Sequence, residues 1–400
     1  MIKKDFQYYK FCAYGFFKNM RFFDPFILLF FRDIGFSFTQ IGLLFSIREI
    51  SNTILEIPSG ITADFFGRKN VMLFSFTSYI LSFIIFSVST NYYIFIVAMF
   101  LFACGESFRS GTHKAMIIDY LKINNMIELK TEYYGSTRSW SQIGSAVSSL
   151  VAGLLVILTG RYRIIFIASV LPYFIGFINI LLYPKSLNGK PRKLSKKTDY
   201  QFTELFKREG YRRGLLNSAL YDGLFKSVKD YLQPILKSFA IGLPVLLFKN
   251  EEKRSALIIA VVYFLLFFIS AATSKNAYKI KQFYQSTSKA INLTFVFGII
   301  LTIIAGMTYS MRIEIISIFM FILIYALQNL RRPINTDYIT GHIPEKLMAT
   351  GLSIETQLKT VTIAILSPLL GVLADQFGVG SGIMIVAIGL LVLFPFAKVK

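Results

Sequence analysis

Charged residues recur at helical spacing inside apolar stretches of this 400-residue chain. Glu106, Arg109 and His113 are separated by three and then four residues, so one continuous helix would present them on a single stripe. A charged side chain that faces lipid at mid-membrane depth costs about 2.5–3.5 kcal/mol on insertion scales. Such residues therefore face protein or water, where they can form ion pairs, carry protons or bind a charged solute.

The deep charges are concentrated in the first, fourth, seventh and tenth of twelve apolar spans, and this distribution predicts a polar chamber between two helical bundles. The predicted chamber residues are Lys18, Arg21, Asp24, Glu106, Arg109, His113, Asp222, Lys226, Lys229 and Arg331. Asp24, Glu106 and Asp222 are candidate proton carriers, because a basic neighbour in a desolvated site shifts the proton affinity of a carboxylate. For each of these three, a structural ion pair is the alternative. Basic residues outnumber acidic ones in this set, and the surplus favours an anionic or zwitterionic organic solute.

The elements that position these charges are hydrophobic segments. Hydrophobic residues make up 54% of the chain and charged residues 16%, with a mean hydropathy of +0.57. Soluble domains usually contain about 25% charged residues. Each segment is long enough to cross a bilayer core of about 30 Å as a helix. The predicted spans are 10–31, 41–64, 70–90, 92–119, 133–158, 164–183, 213–239, 255–274, 290–307, 315–338, 348–373 and 379–397.

The twelve spans fall into two groups of six. The predicted domains are an N-terminal bundle at 1–184, a basic cytoplasmic linker at 185–212 and a C-terminal bundle at 213–400. The sequence FKNMR at 17–21 recurs as FKSVK at 225–229, which indicates duplication of a six-helix unit. The predicted fold is an all-α integral membrane protein with two pseudo-symmetric six-helix bundles, each containing inverted repeats of three helices.

The formal net charge of +21 follows from topology. Most loop lysines and arginines fall on one side of the predicted membrane, and the positive-inside rule assigns that side and both termini to the cytoplasm. The basic linker there would contact anionic lipid. This distribution accounts for the charge without a nucleic-acid partner.

One more pair is expected in the eleventh span. Glu355 and Lys359 are four residues apart on a predicted helix, so their side chains should pair with each other. Arg138 in the fifth span is expected to join an inter-helix ion pair and not to contact the transported solute.

The loop between the second and third spans contains a recognisable pattern. Its residues Gly60, Asp64, Gly67, Arg68 and Lys69 follow the order Gly-xxx-Asp-xx-Gly-Arg-Lys. This pattern resembles the signature loop of the major facilitator superfamily, in its bacterial twelve-helix type. The resemblance extends over the whole chain through the span number, the central basic linker and the charged first helices.

The resemblance implies that this motif is part of a gate. Asp64 would accept hydrogen bonds from the amides at the start of a helix in the other half. Gly60 and Gly67 would permit a turn and close backbone approach, with Arg68 and Lys69 in the cytoplasmic interface. A plain turn flanked by topology-setting basic residues is the alternative interpretation.

The function implied is secondary active transport by alternating access, coupled to a proton or another ion, in the bacterial cytoplasmic (inner) membrane. The expected partners are a small-molecule substrate, the coupling ion and membrane lipids, and the expected working unit is a monomer. A drug/proton antiporter is an alternative, although the fifth span lacks the Gly-Pro pair of many such proteins. A membrane sensor or scaffold that transports nothing is an alternative of another class.

Catalytic chemistry is not expected. The two histidines lie on different spans without metal-ligand spacing, and both cysteines lie inside apolar runs. A Walker-type phosphate loop does not occur in the sequence, so ATP-driven pumping by this chain is not expected. The sequence therefore predicts a protein that is not an enzyme and needs no cofactor or metal.

Overall fold

The structure is a computed structural model that describes residues 4–188, 202–243, 250–275, 286–344 and 347–400. Within these ranges the regular elements are helical, and no strand occurs. Residues 189–201 of the predicted linker lie outside the described residues.

The helices of the N-terminal part are α1 (Phe6–Lys18), α2 (Ile27–Ile34), α3 (Phe38–Phe66), α4 (Arg68–Val88), α5 (Tyr92–Arg109), α6 (Thr112–Ile123), α7 (Lys130–Thr159) and α8 (Ile164–Leu181). Those of the C-terminal part are α9 (Phe202–Lys207), α10 (Glu209–Val228), α11 (Leu232–Gly242), α12 (Glu251–Lys275), α13 (Thr287–Ser310), α14 (Glu314–Gly341), α15 (Met348–Phe377) and α16 (Val379–Ala397). Short 3-10 turns occupy Ile127–Leu129, Lys185–Asn188 and Lys229–Tyr231.

Nine helical segments among the described residues are long and apolar enough to cross a membrane. They correspond to the third to sixth and the eighth to twelfth predicted spans. The first and seventh predicted spans, at 10–31 and 213–239, are each divided between two α-helices, and the second lies in α3, which carries several charges. The twelve-helix count and the side on which the termini lie stay predictions.

The fourth predicted span is also interrupted. Helix α5 ends at Arg109 and α6 begins at Thr112, with Gly111 between them at φ +77°. That backbone conformation suits glycine, because the Cβ of any other residue would clash with its own backbone there. The prediction that Glu106, Arg109 and His113 share one helical stripe is therefore wrong: His113 belongs to a separate helix.

The chain forms two compact units. The first unit contains Met1–Phe30, Ile47–Leu194 and Leu247–Phe264. The second contains Phe31–Ser46, Ser195–Leu246 and Leu265–Lys400. Helices α3 and α12 each contribute to both units. The predicted bundles at 1–184 and 213–400 are instead continuous stretches of the chain, and they stay a prediction.

Aromatic side chains build the core of the first unit. The ring of Tyr173 on α8 packs against Tyr79 and Phe83 of α4, with centroid distances of 5.0 and 4.8 Å. A Cβ on Gly105 would lie 2.7 Å from the Tyr79 ring, so this glycine allows α5 to approach α4 closely. This packing places the Tyr79 hydroxyl beside the charged end of α5.

In the second unit α10 packs against α15 and α16. The Tyr211 hydroxyl of α10 donates to the Gly351 carbonyl of α15 over 2.9 Å, and the Ser227 and Ser367 hydroxyls are 3.2 Å apart. Polar links between these two helices therefore occur at several depths. They fix the register in which the charged residues of α10 meet those of α15.

Candidate functional site

The first unit contains a cavity of about 350 Å³ between α1, α5, α6 and α7. Four basic side chains line it: Lys18, Arg109, Lys114 and Arg138. No aspartate or glutamate of the described chain is among the lining residues. The cavity is therefore a cationic site.

Lys18 is the last residue of α1, and its main chain is held in place. The Tyr173 hydroxyl donates to the Lys18 carbonyl over 3.0 Å. The half-buried Lys18 ammonium makes no hydrogen bond or ion pair with another described residue. It is thus a positive charge presented to the cavity that is not directly paired with a carboxylate of the described chain.

Glu106 lies between two guanidinium groups. It pairs with Arg21 through one carboxylate oxygen, and Arg109 donates to the other over 2.8 Å. The Tyr79 hydroxyl lies 3.4 Å from Nε of Arg109. Because both carboxylate oxygens accept from cations, this geometry favours the structural ion pair over proton carriage for Glu106. The group of three keeps one net positive charge.

Asp24 lies between α1 and α2 and is half-buried. Its backbone amide donates to the Arg21 carbonyl over 3.1 Å. It is therefore close to the cationic end of α1, although it does not line the cavity.

His113 on α6 is buried in the cavity wall. Its ring stacks on Tyr14 with centroids 3.5 Å apart, and its Nε2 lies 3.2 Å from the Tyr183 hydroxyl. The same hydroxyl donates to the Lys10 carbonyl over 3.3 Å, so Tyr183 joins the His113 ring to α1. These contacts agree with a lining and pairing role for His113.

The second unit holds a different charged group. The Lys359 ammonium on α15 is 2.6 Å from Glu355 and also 2.6 Å from Asp222 of α10. Gln328 of α14 donates to the other Asp222 oxygen over 2.9 Å. The Ser218 hydroxyl donates to Glu355 over 2.7 Å. The predicted Glu355–Lys359 pair is present, and Asp222 is its third member.

Arg331 on α14 is 1% exposed and is held by neutral groups. One guanidinium nitrogen donates to the Ile291 carbonyl over 2.6 Å and to the Thr294 hydroxyl over 2.9 Å, and another donates to Asn217. The guanidinium carbon lies 4.4 Å from the centre of the Tyr221 ring. These contacts place Arg331 in the packed interior of the second unit.

The two other predicted chamber residues of the second unit lie near the end of α10. Lys226 is exposed, and Lys229 pairs with its chain neighbour Asp230 over 2.7 Å. Of the ten predicted residues, Lys18, Arg109 and His113 line the cavity of the first unit.

Sequence reasoning missed part of the cavity lining. Arg138 was expected to join an inter-helix ion pair, yet it is exposed and lines the cavity. Its signal was the polar stretch STRSWSQ at 136–142, which places hydroxyl groups and a cation at the start of an otherwise apolar span. Among the described residues no group of three or more His, Cys, Asp or Glu side chains could hold a metal ion.

The signature motif contacts the segment that follows α8. Gly67 has φ +87°, and a Cβ there would lie 2.4 Å from the Asn188 side chain. That side chain accepts from the Lys69 amide over 3.0 Å, and the Lys69 ammonium donates to the Tyr183 carbonyl over 2.8 Å. Arg68 pairs with Asp119. The end of the motif thus fixes the start of α4 to the chain entering the linker.

The first part of the motif behaves differently. Gly60 lies within α3, and a Cβ there would meet no described atom within 4 Å, so the expected close approach does not occur at this position. The Asp64 side chain is exposed.

A family model of the major facilitator superfamily matches residues 11–354. Because this match covers most of the chain, the protein belongs to the major facilitator superfamily. Membership makes it a multi-pass membrane protein of a transporter superfamily, not of an enzyme family.

Two curated relatives match parts of the chain. The uncharacterized MFS-type transporter YxaM of Bacillus subtilis is 36% identical over 93 residues, which are 23% of this chain and 23% of that protein. The hexuronate transporter of Bacillus subtilis is 23% identical over 164 residues, which are 41% of this chain and 37% of that protein. The chain therefore matches well under half the length of either relative.

Solved structures resemble the whole chain. A mutant of the nucleoside transporter NupG has a TM-score of 0.78 at 13% identity, with 98% of each chain covered. A D-xylose–proton symporter has a TM-score of 0.74 at 12% identity, covering 98% of this chain and 96% of that chain. At such low identity these similarities establish the fold alone.

Proposed function

We propose that this protein is a secondary active transporter that moves a small organic anion across the bacterial cytoplasmic membrane by alternating access. The driving force is a proton or ion gradient, both termini face the cytoplasm, and the working unit is a monomer. The motif residues Gly60, Asp64, Gly67, Arg68 and Lys69 belong to the cytoplasmic gate in this proposal.

The observation that supports an anionic substrate is the charge of the cavity lining. Arg109 is paired with Glu106, but Lys18, Lys114 and Arg138 form no ion pair with a described carboxylate. At an effective dielectric constant of about 20, a carboxylate about 4 Å from one ammonium gains about 4 kcal/mol. A cation at the same place would be repelled by a similar amount.

The size of the cavity suits a small metabolite. Its volume of about 350 Å³ lies at the lower end of the range of about 300–1,000 Å³ for small-molecule sites. The relative named a hexuronate transporter makes a sugar acid a reasonable first probe. D-glucuronate combines one carboxylate with hydroxyl groups that the Tyr134, Thr137 and Ser141 side chains of the lining could contact.

Counterflow in proteoliposomes tests this proposal. Purified protein is reconstituted, and uptake of radiolabelled D-glucuronate, D-xylose, uridine and ethidium is measured against an excess of the same unlabelled compound inside. We expect exchange of D-glucuronate that is strongly reduced in K18M. The matched control is K122M, which removes one exposed positive charge at the end of α6, away from the cavity.

The opposite result is equally definite. Exchange of ethidium that is unaffected by K18M, without exchange of D-glucuronate, would refute the anionic substrate and favour the drug antiporter. If the protein exchanges none of these probes and none of a wider set of organic anions, the result would favour the sensor or scaffold.

A further inference from the structure

A single ammonium group is shared by two carboxylates in the second unit. Lys359 is 2.6 Å from Asp222 on α10 and 2.6 Å from Glu355 on α15. The side chains are largely buried: 20% of Lys359, 14% of Asp222 and 7% of Glu355 is exposed. When all three are ionised the triad has one negative charge in excess. One proton would make it neutral.

The groups facing the triad come from two helices. Helix α10 contributes the Tyr211 and Tyr221 rings, and α14 contributes Gln328 and the buried Arg331. The Arg331 guanidinium donates to carbonyl, hydroxyl and amide oxygens, and among the described residues it forms no ion pair with either carboxylate of the triad. Helix α16, which also packs on α15, has no ionisable residue. Arg331 therefore compensates the excess charge only at longer range.

Gln328 gives an independent indication of where a proton binds. Its amide nitrogen donates to Asp222 over 2.9 Å, while its buried oxygen Oε1 has no hydrogen-bond partner among the described residues. A buried acceptor without a donor is unfavourable. If Asp222 were protonated, its O–H would become a donor, and rotation of the Gln328 amide by a half turn would present Oε1 to it. The same side chain can thus serve both protonation states of Asp222.

We propose that Asp222 binds and releases the coupling proton of this transporter, with Glu355 holding Lys359 while the proton is bound. This inference rests on the proposed ion-coupled transport. On protonation an O–H bond forms at Asp222 and its ion pair with Lys359 breaks. Lys359 then keeps its pair with Glu355 on the same helix, so one charged link between α10 and α15 is lost. The reverse step restores this link.

The direct test is the variant D222N, which has the shape of the protonated side chain. In proteoliposomes we expect D222N to exchange D-glucuronate in counterflow but to show no accumulation when a pH gradient is imposed. The matched control is D230N, because Asp230 in the 3-10 turn after α10 is buried and, among the described residues, forms its ion pair with the single cation Lys229. D230N should still accumulate D-glucuronate in response to the gradient.

A second measurement needs no substrate. Infrared difference spectra of the reconstituted protein, recorded during a pH titration, should contain the C=O band of a protonated carboxyl group that is present in D230N and absent in D222N. In E355Q the whole ammonium is left to Asp222, so the pH at which this band appears should move to lower values. The band therefore reports on Asp222 independently of transport.

These results separate the two proposals. Failure of D-glucuronate exchange in the wild-type protein together with a titrating band lost in D222N contradicts the proposed substrate and supports the proton site. Gradient-driven accumulation that persists in D222N, or a carboxyl band that is unchanged in D222N, overturns the assignment of Asp222.

Discussion

Replacing Glu106 with glutamine tests whether this residue is a structural anion or a proton carrier. The substitution leaves the guanidinium groups of Arg21 and Arg109 without a carboxylate between them. Each lost pair is worth about 4 kcal/mol at a charge separation of about 4 Å and an effective dielectric constant of about 20. Part of this loss is recovered, because the uncharged side chain is easier to bury and still accepts one hydrogen bond.

The expected net effect is a loss of about 3 kcal/mol in the free energy of unfolding. Removing one partner of a buried ion pair typically costs about 3–5 kcal/mol, and the lower end applies because these side chains are 18–22% exposed. The assay is equilibrium unfolding of the purified protein in mixed micelles. E132Q is the control, since Glu132 at the start of α7 is exposed.

A double variant sharpens the interpretation. R21Q/E106Q removes one cation together with the anion, and it should lose less stability than the sum of the two single variants. If E106Q unfolds with the same free energy as the wild-type protein but loses its response to a pH gradient, the reasoning is refuted. Glu106 would then be a proton carrier.

Two further predictions concern the ends of helices. G67A should destabilise the protein by more than about 1 kcal/mol, because the φ of +87° at position 67 strains an L-residue and the added Cβ would clash with the Asn188 side chain. G60A, in an open helical position, should be neutral or stabilising. Comparison of the two free energies of unfolding checks this prediction. A hydrogen bond from Lys400 and the nearby charge of Arg213 hold the pKa of Glu209 below its usual value. The ion pair between Lys400 and Glu209 should therefore be stable above about pH 4.3 and weaken as the pH falls through the lower folded pKa. Hydrogen exchange of the last residues should rise with acidification in the wild-type protein and should vary less with pH in K400A.

The sequence predicted local features of the site better than tertiary ones. The spacing of Glu355 and Lys359 was sufficient to predict their pair, because four residues along a helix fix the distance between two side chains. The third partner, Asp222, could not be found in this way. Its contact depends on the register between α10 and α15, which packing determines.

Helix breaks were the second source of error. The spacing from Glu106 to His113 is compatible with one helix, so periodicity alone gave no sign of the interruption. Gly111 was a signal, since an isolated glycine is often the position where a helix ends. In the motif at 60–69, the residue types led to the family, whereas the contacts of Gly67 and Lys69 with Asn188 and Tyr183 required the fold.

The most direct test of the account is whether the cavity of the first unit binds a carboxylate through Lys18. Thermal unfolding of the purified protein should be measured with D-glucuronate and with D-glucose, which lacks the carboxylate. A ligand that binds only the folded state raises the unfolding temperature, and the rise grows with the ratio of the ligand concentration to its Kd. D-glucuronate alone should stabilise the wild-type protein and K122M, and it should not stabilise K18M. Equal stabilisation by D-glucose, or stabilisation of K18M as large as that of K122M, would contradict the account.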